Sequence, residues 1–72
     1  MADREMLRGR IKIIRWDHEH GNYYGFIERP PEGDVWFSAS VVRGMSPVPG
    51  DEVAFVLAKN TPRVRASELW RV

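Results

Sequence analysis

The chain has 72 residues, no cysteine and only two histidines, His18 and His20. That allows one small domain, excludes a disulfide scaffold or thiolate metal centre, and leaves too few imidazoles for a structural zinc site. Eleven Lys and Arg against ten Asp and Glu give a formal charge of +1, which is not the strongly basic balance of a phosphate-coating protein.

Residues 1–6 read as a weakly ordered lead-in, and residues 7–72 as one domain. Leu7 to Trp16 is the first expected strand. Its charged and apolar residues alternate through Arg8, Arg10 and Lys12, then lose register at the apolar pair Ile13-Ile14, which predicts a bulge or strong bend. After the turn at His20-Gly21-Asn22, Tyr23 to Glu28 is the second strand, with Gly25 where backbone or ligand must come close. Arg29-Pro30-Pro31-Glu32-Gly33-Asp34 is a stiff turn, followed by a short third strand from Asp34 to Phe37. Ser38 to Arg43 offers a helical turn, and Met45 in the next loop is expected to tuck onto the body of the domain. Val53 to Leu57 is the fourth strand. Arg63 to Leu69, extending toward Val72, is the fifth. Five short strands separated by Gly/Pro turns predict an all-β domain, and a closed five-stranded antiparallel barrel is the economical form because closure removes exposed edges.

The stretch richest in chemistry is Asn22-Tyr23-Tyr24-Gly25-Phe26-Ile27 with Val35-Trp36-Phe37. Side chains alternate faces along a strand, so Tyr24 and Phe26 share one face. If Val35 and Phe37 fill the core, Trp36 joins them outside. Three rings on an outer face suit the flat faces of unpaired bases, while the neighbouring cations Arg10, Lys12 and Arg15 suit phosphates. The same rings would also serve as core, since aromatics pack well in strands. Residue types alone leave both readings open. The cations cluster in sequence: Arg4, Arg8, Arg10, Lys12 and Arg15 near the start, and Arg63, Arg65 and Arg71 near the end. A basic face on a near-neutral chain requires those two ends to meet.

Gly9-Arg10-Ile11-Lys12, Tyr24-Gly25-Phe26-Ile27 and Asp34-Val35-Trp36-Phe37 with Ser40 resemble, in order and spacing, the bacterial cold-shock domain. Val48-Pro49-Gly50-Asp51-Glu52-Val53-Ala54-Phe55 and Ala66-Ser67-Glu68-Leu69 extend that resemblance from about residue 7 to residue 70. It implies a five-stranded OB-type barrel that binds single-stranded DNA or RNA on its first three strands. Lys12, Tyr24, Phe26 and Trp36 match the family's binding residues in type. Ile13 stands where the family has a stacking tryptophan, Asn22 where it has a lysine, and Ser38 where it has a histidine; Tyr23 replaces a glycine. Trp16 is a nearby ring that would partly replace the missing tryptophan.

The function expected is therefore low-specificity binding of single-stranded RNA or DNA, of the RNA-chaperone kind, through Arg10, Lys12, Arg15, Tyr24, Phe26 and Trp36. The alternative is an OB-type protein-interaction module that kept the fold and lost most of the ligand face. No catalytic acid–base pair, nucleophile motif or Gly-rich phosphate loop is evident, so neither catalysis, a cofactor nor a small-molecule substrate is expected. Asp17-His18-Glu19-His20 alternates metal-ligating types but reads as a solvated turn, so no metal is expected. Trp70 is expected to anchor the terminal strand by packing. The charged opening MADREML and the lack of an apolar run near ~20 residues give no signal peptide or span, and a cytoplasmic location is expected.

Overall fold

In a computed structural model that describes residues 6–72, five strands follow one another: β1 (Leu7–Asp17), β2 (Asn22–Glu28), β3 (Val35–Ser38), β4 (Glu52–Leu57) and β5 (Ala66–Arg71). A single 3₁₀ turn, Ala39–Val41, separates β3 from β4, inside the stretch expected to turn helically. All neighbours pair antiparallel in one sheet of order β3-β2-β1-β4-β5. Of the expected lead-in, residues 1–5 lie outside the described residues, and Met6 is exposed. Among the described residues no helix is long and apolar enough to cross a membrane.

The core draws on every strand: Ile11 from β1, Ile27 from β2, Val35 and Phe37 from β3, Val53 and Phe55 from β4, and Ala66 and Leu69 from β5. Met45 packs against this cluster from its loop, as expected. For both edge strands to reach one cluster the sheet must coil strongly. The edges meet at a parallel bridge between Trp36 and Arg65, where the Trp36 amide donates to the Val64 carbonyl at 3.2 Å. Val42, just beyond the 3₁₀ turn, bridges Leu69 in the same sense. Among the described residues no continuous ladder joins β3 to β5, and the sheet is not a hydrogen-bonded closed ring.

The register of β1 decides which side chains leave the core. Ile11 pairs with Ile27, but Ile13 pairs with Phe26, so Lys12 is the extra residue of a bulge. Strict alternation from Ile11 would send Ile13 and Arg15 inward. The bulge instead sets Ile13 beside Phe26 and Arg15 beside Tyr24, and returns Ile14 to the core opposite Gly25. A buried Arg15 would be costly, which is the physical reason for an insertion here. The irregularity foreseen at Ile13-Ile14 thus falls one residue earlier.

Gly25 is a point of close approach between strands. A Cβ there would lie 2.5 Å from the Ile13 carbonyl oxygen and 2.7 and 2.9 Å from two atoms of the Phe37 ring. Only glycine leaves that space to the ring.

Several strand ends differ from expectation by one residue, and the start of β5 by three. β3 begins at Val35, the last residue in register with β2, and the Asp34 carboxylate just before it accepts a hydrogen bond from Lys12 at 2.8 Å. Ser38 closes the strand opposite Tyr24. β5 begins at Ala66 rather than Arg63 and runs to Arg71. Residues 61–65 follow the edge of β3 instead of β4, with the Thr61 hydroxyl donating to the Arg63 carbonyl at 2.6 Å. Trp70 is half-buried opposite Ala54 on the face of β4 turned away from Val53 and Phe55. It anchors the end of the strand without entering the core cluster.

The β1–β2 turn is held by one carboxylate. Asp17 Oδ1 accepts from the backbone amides of Glu19 (3.0 Å) and His20 (3.4 Å), and Oδ2 pairs with His20 Nδ1 at 2.7 Å. The His20 hydrogen bond, foremost among these contacts, holds the Asp17 carboxyl below its usual range. These bonds favour the ionised form, so they persist above the ordinary carboxylate range and are lost as pH falls through the lowered value. The amide resonances of Glu19 and His20 should therefore titrate together, with a midpoint below that of an unperturbed aspartate. A midpoint at the unperturbed value would show that the cap does not form in solution.

Candidate nucleic-acid interface

Alternation on β2 and β3 puts Tyr24, Phe26 and Trp36 on the face opposite Ile27, Val35 and Phe37, all of which are fully buried. Phe26 lies directly across from Trp36, and Tyr24 lies on the diagonal. The Tyr24 and Trp36 rings are near-parallel, with centroids 6.5 Å apart and 29° between planes, and Phe26 meets Tyr24 edge-on at 6.4 Å and 80°. All three are half-buried rather than core. Of the two placements left open by residue type, the structure has the outer one.

These rings form the floor of an open cleft of ≈ 530 Å³. One wall is Trp16 with Asp17 and His18, at the end of β1 and the start of its turn. Trp16 is 56% exposed and meets His18 edge-on at 6.5 Å. The other wall is Arg63, whose Cζ lies over the Trp36 ring, 5.4 Å from its centroid. Trp16 therefore borders the same cleft as the three floor rings, although it pairs with Tyr23 on β1–β2.

The expected cations separate into two groups. Arg15 sits across from Tyr24 and makes no ion pair among the described residues. Lys12, on the bulge, donates to Asp34 at 2.8 Å, and that hydrogen bond followed by the carboxylate's charge raises its pKa, keeping it an ammonium. Arg10 stands between Glu28 and Glu52 on the neighbouring strands, with Glu52 Oε2 at 3.8 Å, and lines a different groove with Arg8 and Arg29. Both pairs are exposed, and such pairs are weak enough for a phosphate to displace. Arg10 nonetheless lies farther along β1 from the rings than Arg15 does.

Of the positions where the chain departs from the cold-shock pattern, Ile13 and Ser38 lie beside the rings. Ile13 is the cross-strand neighbour of Phe26, and Ser38 that of Tyr24, its hydroxyl 2.7 Å from the hydroxyl of Ser40. Asn22 is exposed and accepts from the Tyr23 amide through its own Oδ1 at 2.9 Å. Tyr23 turns toward the core, and its burial pushes the phenol's pKa up.

Arg63 is a cleft residue beyond those expected from the sequence. The signal available in the sequence was the cluster of arginines near the C-terminus, and its condition is met in part. Arg63 reaches the rings over the edge of β3, whereas Arg71 pairs with Asp51 at 3.2 Å and Arg4 lies outside the described residues. Asp17, Glu19 and His20 group their ligand atoms within 4.8 Å in an exposed turn, where the Asp17 oxygens are already engaged by the turn itself.

No family model and no curated protein matches this chain.

Proposed function

We propose that the chain is a cold-shock-like domain of OB type that binds single-stranded RNA or DNA with little sequence preference. The observation that carries this reading is the outward row of Tyr24, Phe26 and Trp36, flanked by Arg15 and Arg63. A small domain gains about 25 cal/mol for each Å² of apolar surface it buries, so three rings held outside its core forgo stabilisation. A flat π-ligand restores that loss on binding, at about 1–3 kcal/mol per stacked base. The OB-type reading draws support from the strand order, the bulged β1 and the meeting of β3 and β5 at Trp36 and Arg65. In this reading Tyr24, Phe26 and Trp36 stack successive bases, Trp16 borders the strand's path, and Arg15, Lys12 and Arg10 hold phosphates. Trapping unstacked strands opposes base pairing, as an RNA chaperone does, and no covalent step is involved.

A short pyrimidine-rich oligonucleotide should quench tryptophan fluorescence at low salt. Three to four phosphate contacts should give log K against log salt a slope of about −2 to −3, at about 0.7 per phosphate on a single strand. No spectral change with any oligonucleotide at low salt would sink the reading.

The ion pairs on Lys12 and Arg10 favour a second reading, a protein-docking face built on the same rings. Its signature is a co-purifying protein lost on Phe26→Ala, with no oligonucleotide binding by the unaltered chain.

A further inference from the structure

The outer face of Trp36 is already covered. Arg63 places its guanidinium over that ring, 5.4 Å from Cζ to centroid, in the position a stacked base would take. The placement is built by the backbone on either side. The Arg63 carbonyl accepts from the Thr61 hydroxyl at 2.6 Å, and the next carbonyl, Val64, accepts from the amide of Trp36 itself at 3.2 Å. One residue further, Arg65 bridges Trp36, and its carbonyl accepts from the Ala58 amide at 2.8 Å. The loop is thus hung on the residue whose ring Arg63 covers. Arg63 makes no ion pair among the described residues, unlike Arg10, Lys12, Arg43 and Arg71, each of which has a carboxylate within 4.0 Å. An arginine without a carboxylate, set on an indole by a tethered loop, is arranged for a planar anionic ligand.

We propose that Arg63 is a binding residue that closes over the base at Trp36, so that one base of the strand lies between the Trp36 indole and the Arg63 guanidinium. This deepens the nucleic-acid reading and rests on it. A base needs about 3.5 Å on each side, so the guanidinium must lift by about 2 Å from its present 5.4 Å. There is room for this. Arg63 separates the main cleft from a second hollow of ≈ 320 Å³ bounded by Trp36, Thr61, Pro62 and Arg65. The side chain's flexible stem can move into that hollow while the hydrogen-bonded backbone stays in place. The free protein then holds Trp36 under a guanidinium that a base replaces on one side and gains on the other. Single-stranded nucleic acids are commonly read by stacking on arginine planes as well as on aromatic rings.

The test separates stacking from charge. Arg63→Lys keeps the cation but loses the plane; Arg63→Ala loses both. Both variants change an exposed loop side chain outside the core. Titrations use a pyrimidine hexamer and a set of the same hexamers, each lacking one base but keeping every phosphate. Arg63→Lys is expected to bind the intact hexamer about 2- to 30-fold more weakly than the unaltered protein, the range of a cation on an aromatic plane. Its salt slope should be unchanged, whereas Arg63→Ala should also flatten the slope by about 0.7. One abasic hexamer should bind the unaltered protein and Arg63→Lys equally, marking the base that occupies the gap. If Arg63→Lys binds the intact hexamer as well as the unaltered protein does, Arg63 is a phosphate cation only and the stacking proposal is overturned. If the unaltered protein binds no hexamer, the nucleic-acid reading falls and the proposal falls with it.

Discussion

Replacing Phe37 by alanine should cost about 3–5 kcal/mol of stability, the usual cost of emptying a core phenylalanine site. A 72-residue domain at ~0.05–0.15 kcal/mol per residue has only about 4–11 kcal/mol to lose, so this variant should give up a large share of its stability and unfold at a much lower urea concentration. The same ring explains a second sensitivity. Gly25→Ala sets a Cβ against two Phe37 ring atoms and the Ile13 carbonyl and should lose about 1–3 kcal/mol or more, because a β1 carbonyl at 2.5 Å cannot rotate away. The two sites are coupled. In the double variant Gly25→Ala/Phe37→Leu the ring clash disappears while the carbonyl clash remains, so the combined loss should fall short of the sum by about 0.5–2 kcal/mol. Urea unfolding of the four proteins measures the cycle. Strict additivity would mean that ring and glycine do not meet as described.

Removing rings from the outer face should have the opposite profile. Phe26→Ala with Trp36→Ala is expected to weaken oligonucleotide binding by about 2–6 kcal/mol, roughly 30-fold to more than ten-thousandfold, at ~1–3 kcal/mol per stacked base. Cooperative unfolding should survive, because both rings lie outside the buried cluster. Trp16 and Trp70 remain as fluorescence reporters, and an electrophoretic or anisotropy assay with a labelled strand gives the affinity. Binding that persists undiminished in the double variant would remove the rings from the ligand's path. Ile13 gives a useful contrast. It is the cross-strand neighbour of Phe26 on the outer face, so Ile13→Trp adds a ring beside the row without entering the core.

Much of the fold could be read from alternation. Val35 and Phe37 on β3, like Gly25 and Ile27 on β2, recur with the two-residue period of a half-buried strand and are buried, whereas Val53 to Val56 on β4 form a continuous buried run. The same alternation sent Tyr24, Phe26 and Trp36 to one face once Phe37 was taken as core. Long-range contacts account for the differences between expectation and structure. Arg63 to Arg65 has strand composition, yet its hydrogen bonds go to Trp36 and Ala58 and it serves as the wall of the cleft. Lys12 and Arg10 look like free phosphate ligands in sequence, but Asp34 and Glu52 reach them from distant segments.

The chain by itself determined an all-β domain of five strands with a broken register in the first. These properties follow from local periodicity and turn chemistry, which neighbours within a few residues are enough to express. It also showed that near-neutral charge could not coat a backbone uniformly. How that charge is distributed over the surface was decided by register and by the coiling of the sheet. The bulge at Lys12 turns Arg15 outward beside Tyr24, and the approach of β5's leading segment to β3 lays Arg63 over Trp36. The first depends on the register of a hairpin and the second joins residues far apart in sequence, and no local preference encodes either. On a chain of formal charge +1, carboxylates pair with Lys12, Arg10 and Arg71 and leave Arg15 beside Tyr24 and Arg63 over Trp36.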